Sequence, residues 1–113
     1  MPTVAVVLLV PTVQLATAGG AVYTSPTQTT AKIGRAVFTN TSGSAATITV
    51  GIVPAGGSLG STNTIISAYS IAAGAAYVSP ELGGAVIPGG SQLFAYAGTA
   101  SAITCTVSGI TVQ

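Results

Sequence analysis

Glu81, Cys105, Lys32 and Arg35 carry the strongest intrinsic chemistry in this 113-residue chain. General acid–base catalysis calls for tuned carboxylates or a histidine. The chain has one acidic side chain, Glu81, and no His. A lone Glu with two cations far away in sequence reads as a cap or an ion-pair partner. A protein-only metal cage needs converging His, Cys, Asp or Glu side chains, and one Cys with one Glu cannot build it. A Ser or Cys nucleophile would lack its base. Cys105 has no second cysteine to pair with, and Ile103 and Val107 share its parity on a strand. It therefore reads as a small buried hydrophobe. Gly56-Gly57-Ser58 has neither a Lys nor a following helix, so it is not a phosphate loop. No catalytic residue, metal or cofactor is expected, and the chain reads as a non-enzyme.

The same scarcity of charge bears on partners. Charged residues make up 3% of the chain, against roughly 25% in an ordinary domain. Hydrophobic residues make up 49%, which argues against disorder. Soluble monomers rely on charge to stay apart. A near-neutral surface of Ser, Thr, Gly and Ala suits a subunit covered by other protein. Two cations three residues apart do not supply the counterion release that nucleic-acid binding needs, and no aromatic platform accompanies them. The run Val4–Val10 is too short to cross a membrane as a helix, and no cation near Met1 makes a leader's n-region. It reads as a strand or an apolar arm, with Pro11 as a hinge. Neither nucleic acid nor membrane is expected as a partner.

The elements that would position any site are short β-runs divided by Gly, Ser, Asn and Pro. Strands are expected over Thr3–Val10, with a second piece at Thr12–Ala16, and over Ala21–Thr24, Ala31–Thr39, Ala46–Val53, Thr64–Ile71, Ala75–Val78, Gln92–Ala97 and Ala102–Val112. Val86-Ile87 forms a short piece. Gly34 reads as a bulge and Gly109 as a break in the last strand. Ala46–Val53 alternates most clearly and is expected to form a hairpin with the strand before it. Ser79-Pro80-Glu81-Leu82 carries an N-cap residue, Pro at the first position and an acid, so one helical turn is expected there. Pro54–Asn63 is a long Gly/Ser loop suited to contacts. Tyr23, Tyr69, Tyr77 and Tyr96 are dispersed, which leaves sugar binding a weak signal. Thr-x-Thr triplets at Thr39, Thr47 and Thr104 lack the fixed repeat of an ice-binding array. Surface scaling for 10.8 kDa gives ~5,500 Å² when folded, enough for one core.

Four segments resemble, in order, short structural proteins of tailed bacteriophages and prophages. They are Phe38-Thr39-Asn40-Thr41-Ser42-Gly43, Val53-Pro54-Ala55-Gly56-Gly57-Ser58, Ser70-Ile71-Ala72-Ala73-Gly74 and Ser79-Pro80-Glu81-Leu82-Gly83. The first dozen residues are more apolar than that pattern. The resemblance implies a virion protein of capsid decoration (cement) or head-fibre type.

The chain is therefore expected to be all-β. It would form a single jelly-roll-like β-sandwich over residues 1–113, with one short helical turn and an apolar N-terminal arm or edge strand at 1–11. Its expected partners are the major capsid protein and itself, as a dimer or trimer in the virion. Val4, Val6, Val7, Leu8, Leu9, Val10, Ser58 and Leu59 are the expected contact residues. A neck, tail-tip or fibre-attachment protein is the first alternative, and a secreted adhesin-like or glycan-binding β-domain the second.

Overall fold

Alternating apolar residues demand a second layer to bury their inner faces, and nine strands among the described residues provide two. A computed structural model describes residues 4–18 and 20–113. The strands are β1 (Val4–Gln14), β2 (Ala21–Thr24), β3 (Thr30–Asn40), β4 (Ala46–Val53), β5 (Thr64–Ile71), β6 (Ala76–Val78), β7 (Val86–Ile87), β8 (Gln92–Ala97) and β9 (Ile103–Val112). One sheet runs β1-β9-β3-β6, with β7 also on β3, and the other runs β2-β8-β4-β5. Every pairing is antiparallel. The partners β1·β9, β2·β8, β3·β6 and β4·β5 are nested, each pair enclosing the next in sequence. This is a long hairpin rolled into two sheets, the jelly-roll order. The accessible surface is 5593 Å², at the value scaling gives for this mass.

The core sits between the sheets. β9 contributes Ile103, Cys105 and Val107, β3 Ile33 and Phe38, β4 Ile48 and Val50, and β8 Leu93, all fully buried. Thr104, Thr106 and Ser108 turn outward as their alternation requires. In β3 the register slips between Ile33 and Arg35. Ala31 and Ile33 point inward before the slip, and Ala36 and Phe38 after it. The bulge at Gly34 thus keeps both halves of β3 facing the core, while Lys32 and Arg35 stay exposed.

Several sequence expectations are corrected. β3 and β4 do not form a hairpin, because they lie in different sheets. The loop between them is a corner built on buried Asn40. Its Nδ2 donates to the carbonyls of Ser44 and Ile71, both at 2.8 Å, and its Oδ1 accepts from Ser42 N at 2.9 Å. Ser79–Leu82 forms turns, with no helix among the described residues. Ser79 Oγ does accept from Leu82 N at 3.1 Å, as a cap would. But Gly84 N donates to Ile33 O at 2.7 Å and Ile33 N to Ala85 O at 2.8 Å, so the segment bonds to β3 instead of continuing as a helix.

β1 is one strand through Pro11, with register shifts on either side of Val10. Pro11 is no hinge, because an edge strand tolerates a missing donor. The N-terminal segment is consequently an edge strand laid on β9 and not a free arm. Met1–Thr3, at the start of the stretch expected to form that arm, and Gly19 lie outside the described residues.

Gly109 does not break β9, which runs on to Val112. A Cβ there would overlap Lys32 O and crowd Leu9 Cδ1, where the Gly34 bulge presses on β9. Gly109→Val is expected to destabilise the fold by about 3 kcal/mol, at the upper end of overpacking costs. Gly43→Ala, which meets nothing within 4 Å, should stay within about 0.5 kcal/mol of the parent. Urea denaturation of both variants measures the contrast.

Candidate interaction surfaces

Cross-strand partners share a face of a sheet, so the ladder register maps the outer surface of the five-stranded sheet row by row. Val4 lies beside Val112, which lies beside Thr30. Val6 lies beside Ile110, then Lys32, then Val86. Leu8 lies beside Ser108, then Arg35. Val6 is 87% exposed, Val4 63% and Leu8 58%. The edge of this sheet is thus an uncharged apolar stripe, with the chain's two cations two strands inward. β1 also presents an unpaired backbone edge, with no charged side chain along it to guard it.

The eight expected contact residues do not form one surface. Leu9 and Val10 are buried in the core, 5% and 2% exposed, so they anchor β1 and cannot meet a partner. The shift between Leu8 and Val10 puts two consecutive side chains inside. Val7 is half-buried and packs against the core. Val4, Val6 and Leu8 remain as free surface. Ser58 and Leu59 belong to the Pro54–Asn63 loop, which folds over the outer face of the other sheet.

That loop builds a second feature that residue-by-residue reading missed. Gly51 on β4 lacks a side chain where Leu59 Cδ1 and Asn63 O approach, so the loop can close over the sheet. Asn63 holds it there: Oδ1 accepts from Gly60 N at 2.8 Å and Nδ2 donates to Ser58 O at 3.0 Å. Thr64 Oγ1 donates to Gly60 O at 2.7 Å. Between loop and sheet lies an open groove of about 770 Å³. Its floor is Thr49 of β4, Thr64 and Ser67 of β5, and Phe94 and Tyr96 of β8, and its wall is Ser58 to Ser61. The signal was present in the alternation of β8, which sets Phe94 and Tyr96 on the face opposite Leu93 and Ala95.

The most perturbed titratable groups lie elsewhere. Tyr77 on β6 stacks on Tyr69 of β5, ring centroids 4.2 Å apart, which joins the neighbouring edges of the two sheets. The Tyr77 hydroxyl donates to the Glu81 carboxylate, close to Oε1 and 2.9 Å from Oε2. The bond stabilises the carboxylate and the protonated phenol together. It holds Glu81 below its usual range and, with some burial, pushes Tyr77 up to about 12. Burial likewise pushes the Cys105 thiol up to about 12.

No protein-family model matches the sequence, and no curated protein does. Two solved structures of infectious bursal disease virus share its fold. One, of the Gx strain, aligns with a TM-score of 0.54 at 16% identity over 99% of this chain. The other, of the VP2 subviral particle, aligns with a TM-score of 0.53 at 15% identity over 98%. This chain spans 32% of each of those chains, about a third of their length. The fold is an all-β sandwich of the kind found in those viral chains.

Two measurements check the local chemistry. In a phenol absorbance titration one tyrosine should ionise near 12, and Glu81→Gln should return it toward 10. The stability this pair contributes is present above the ordinary carboxylate range. It is lost as pH falls through Glu81's lowered value, and lost again as pH rises toward 12. Cys105 should resist alkylation at pH 8 in the native protein and react at once in denaturant, because only the thiolate attacks.

Proposed function

We propose that this chain is a structural component of a virion, a capsid decoration (cement) protein of a tailed bacteriophage. It acts as a small homo-oligomer that bridges neighbouring capsomers, and it carries out no catalysis. The observation that carries the reading is the stripe of Val4, Val6 and Leu8, exposed on an uncharged edge strand. Large exposed apolar stripes mark interaction sites, and an open strand edge seeks a strand or a cover. A standard interface takes about 800 Å² from each partner, roughly one-seventh of this chain's 5593 Å². Two or three such contacts would cover much of the molecule, which accounts for a surface with three charged side chains in all. The fold shared with the bursal disease virus chains agrees with the reading, as does the ordered resemblance to tailed-phage structural proteins. In this role, burial of stripe and hydroxyl surface at capsomer joints raises the cost of rupturing the shell.

Quantitative mass spectrometry of purified particles tests the proposal. Decoration requires hundreds of copies per head; a handful would reassign the chain to the neck or tail, and none would overturn the virion reading. Val6→Asp places a charge at the centre of the stripe without touching the core. It should weaken association at least tenfold, about 1.4 kcal/mol, with the unfolding midpoint unchanged. Undiminished occupancy would remove β1 from the interface.

A further inference from the structure

We propose that the groove between the Pro54–Asn63 loop and the four-stranded sheet binds a neutral oligosaccharide. The proposal stands on this groove alone and holds whether or not the chain belongs to a virion.

Three features point to that ligand class. The first is the lining. Its polar side chains are hydroxyls, from Thr17, Thr49, Ser58, Ser61, Thr64 and Ser67, with no charged group among them. Both cations lie on the outer face of the other sheet, so phosphate, sulfate or carboxylate would find no counter-charge here. Hydroxyls both donate and accept, which suits a ligand that is itself a set of hydroxyls. Thr49 Oγ1 already accepts from Ala68 N at 3.1 Å, which fixes the oxygen and leaves its proton free to donate.

The second is the aromatic pair. Phe94 and Tyr96 stand two residues apart on one face of β8, about 7 Å along the strand, and both are half-buried. Their cross-strand neighbours on β4 are Gly51 and Thr49, so no large side chain of β4 covers the rings. Two neighbouring aromatic side chains beside hydroxyls match a sugar, which has an apolar C–H face and a polar rim.

The third is preorganisation. Asn63 ties the loop at Ser58 and Gly60, and Gly51 lets it sit down on the sheet, so the wall exists before any ligand arrives. The groove's volume of about 770 Å³ falls in the range of small-ligand sites.

The test is an NMR titration of the ¹⁵N-labelled full chain with neutral oligosaccharides of glucose, mannose, galactose and N-acetylglucosamine. Saturable shifts are expected for at least one of them, confined to residues 17, 49, 58–61, 64–67 and 94–96. Ser67→Trp starts from an exposed position and fills the groove; it should abolish those shifts while the unfolding midpoint holds. Phe94→Ala and Tyr96→Ala should each weaken binding at least tenfold. Absence of saturable shifts with all four sugars would overturn the proposal, as would shifts elsewhere on the surface or a Ser67→Trp variant that binds like the parent. Tighter, salt-sensitive binding of an acidic sugar would overturn the neutral class.

Discussion

The fold turns on one buried amide. Asn40 is the last residue of β3, and its side chain is sealed from solvent at the end of the sandwich. A buried amide must satisfy both donors and its acceptor. It does so with the Ser44 and Ile71 carbonyls and with Ser42. Its backbone joins in: Asn40 N donates to Ala75 O, and Gly74 N donates to Asn40 O, both at 2.9 Å. One residue therefore fastens both connections that cross between the sheets here, β3 to β4 and β5 to β6. Without that corner, β4 could pair beside β3 and the nested order of the jelly roll would be lost.

This corner also marks the limit of what the sequence discloses. Strand positions are legible because side-chain period is a local property: Gln92–Ala97 and Ile103–Val107 read correctly residue by residue. The Gly34 bulge is legible because apolar residues change parity across it. The fate of the Asn40–Ser44 loop is not, since a polar loop of that length serves equally to fold a hairpin or to change sheets. What decides is the carbonyl of Ile71, thirty-one residues away. The turn at Ser79–Leu82 fails for a similar reason, its local helix signals losing to hydrogen bonds with β3. Among the contact residues, Val4, Val6 and Leu8 follow from alternation. Leu9 and Val10 are misassigned because the bulge that turns both inward is dictated by β9.

The surface follows from the same economy of charge. Lys32 and Arg35 occupy outward positions of β3, while Glu81 is engaged by Tyr77. The rest of the exterior works through hydroxyls, backbone and a few apolar side chains. On the five-stranded sheet this leaves an apolar edge. On the four-stranded sheet it leaves a hydroxyl-lined groove roofed by a loop that Asn63 holds in shape. The two features face away from each other, so protein contact on one side leaves the other side open.

The placement of β9 has a consequence in time. It follows every other described strand in sequence, yet it lies between β1 and β3, pairing Val4 with Val112 and Thr30 with the same residue. A growing chain emerges at about 5–20 residues per second. Until β9 has left the ribosome, β1 has no neighbour in its sheet, and Val10 lacks its partner Val107. Folding must then close the long loop between β1 and β9, an entropically slow step. Until β9 emerges, the nascent segment is a strand-forming polymer with almost no charge and an unpaired apolar β1, and it stays exposed to misassembly for that whole interval.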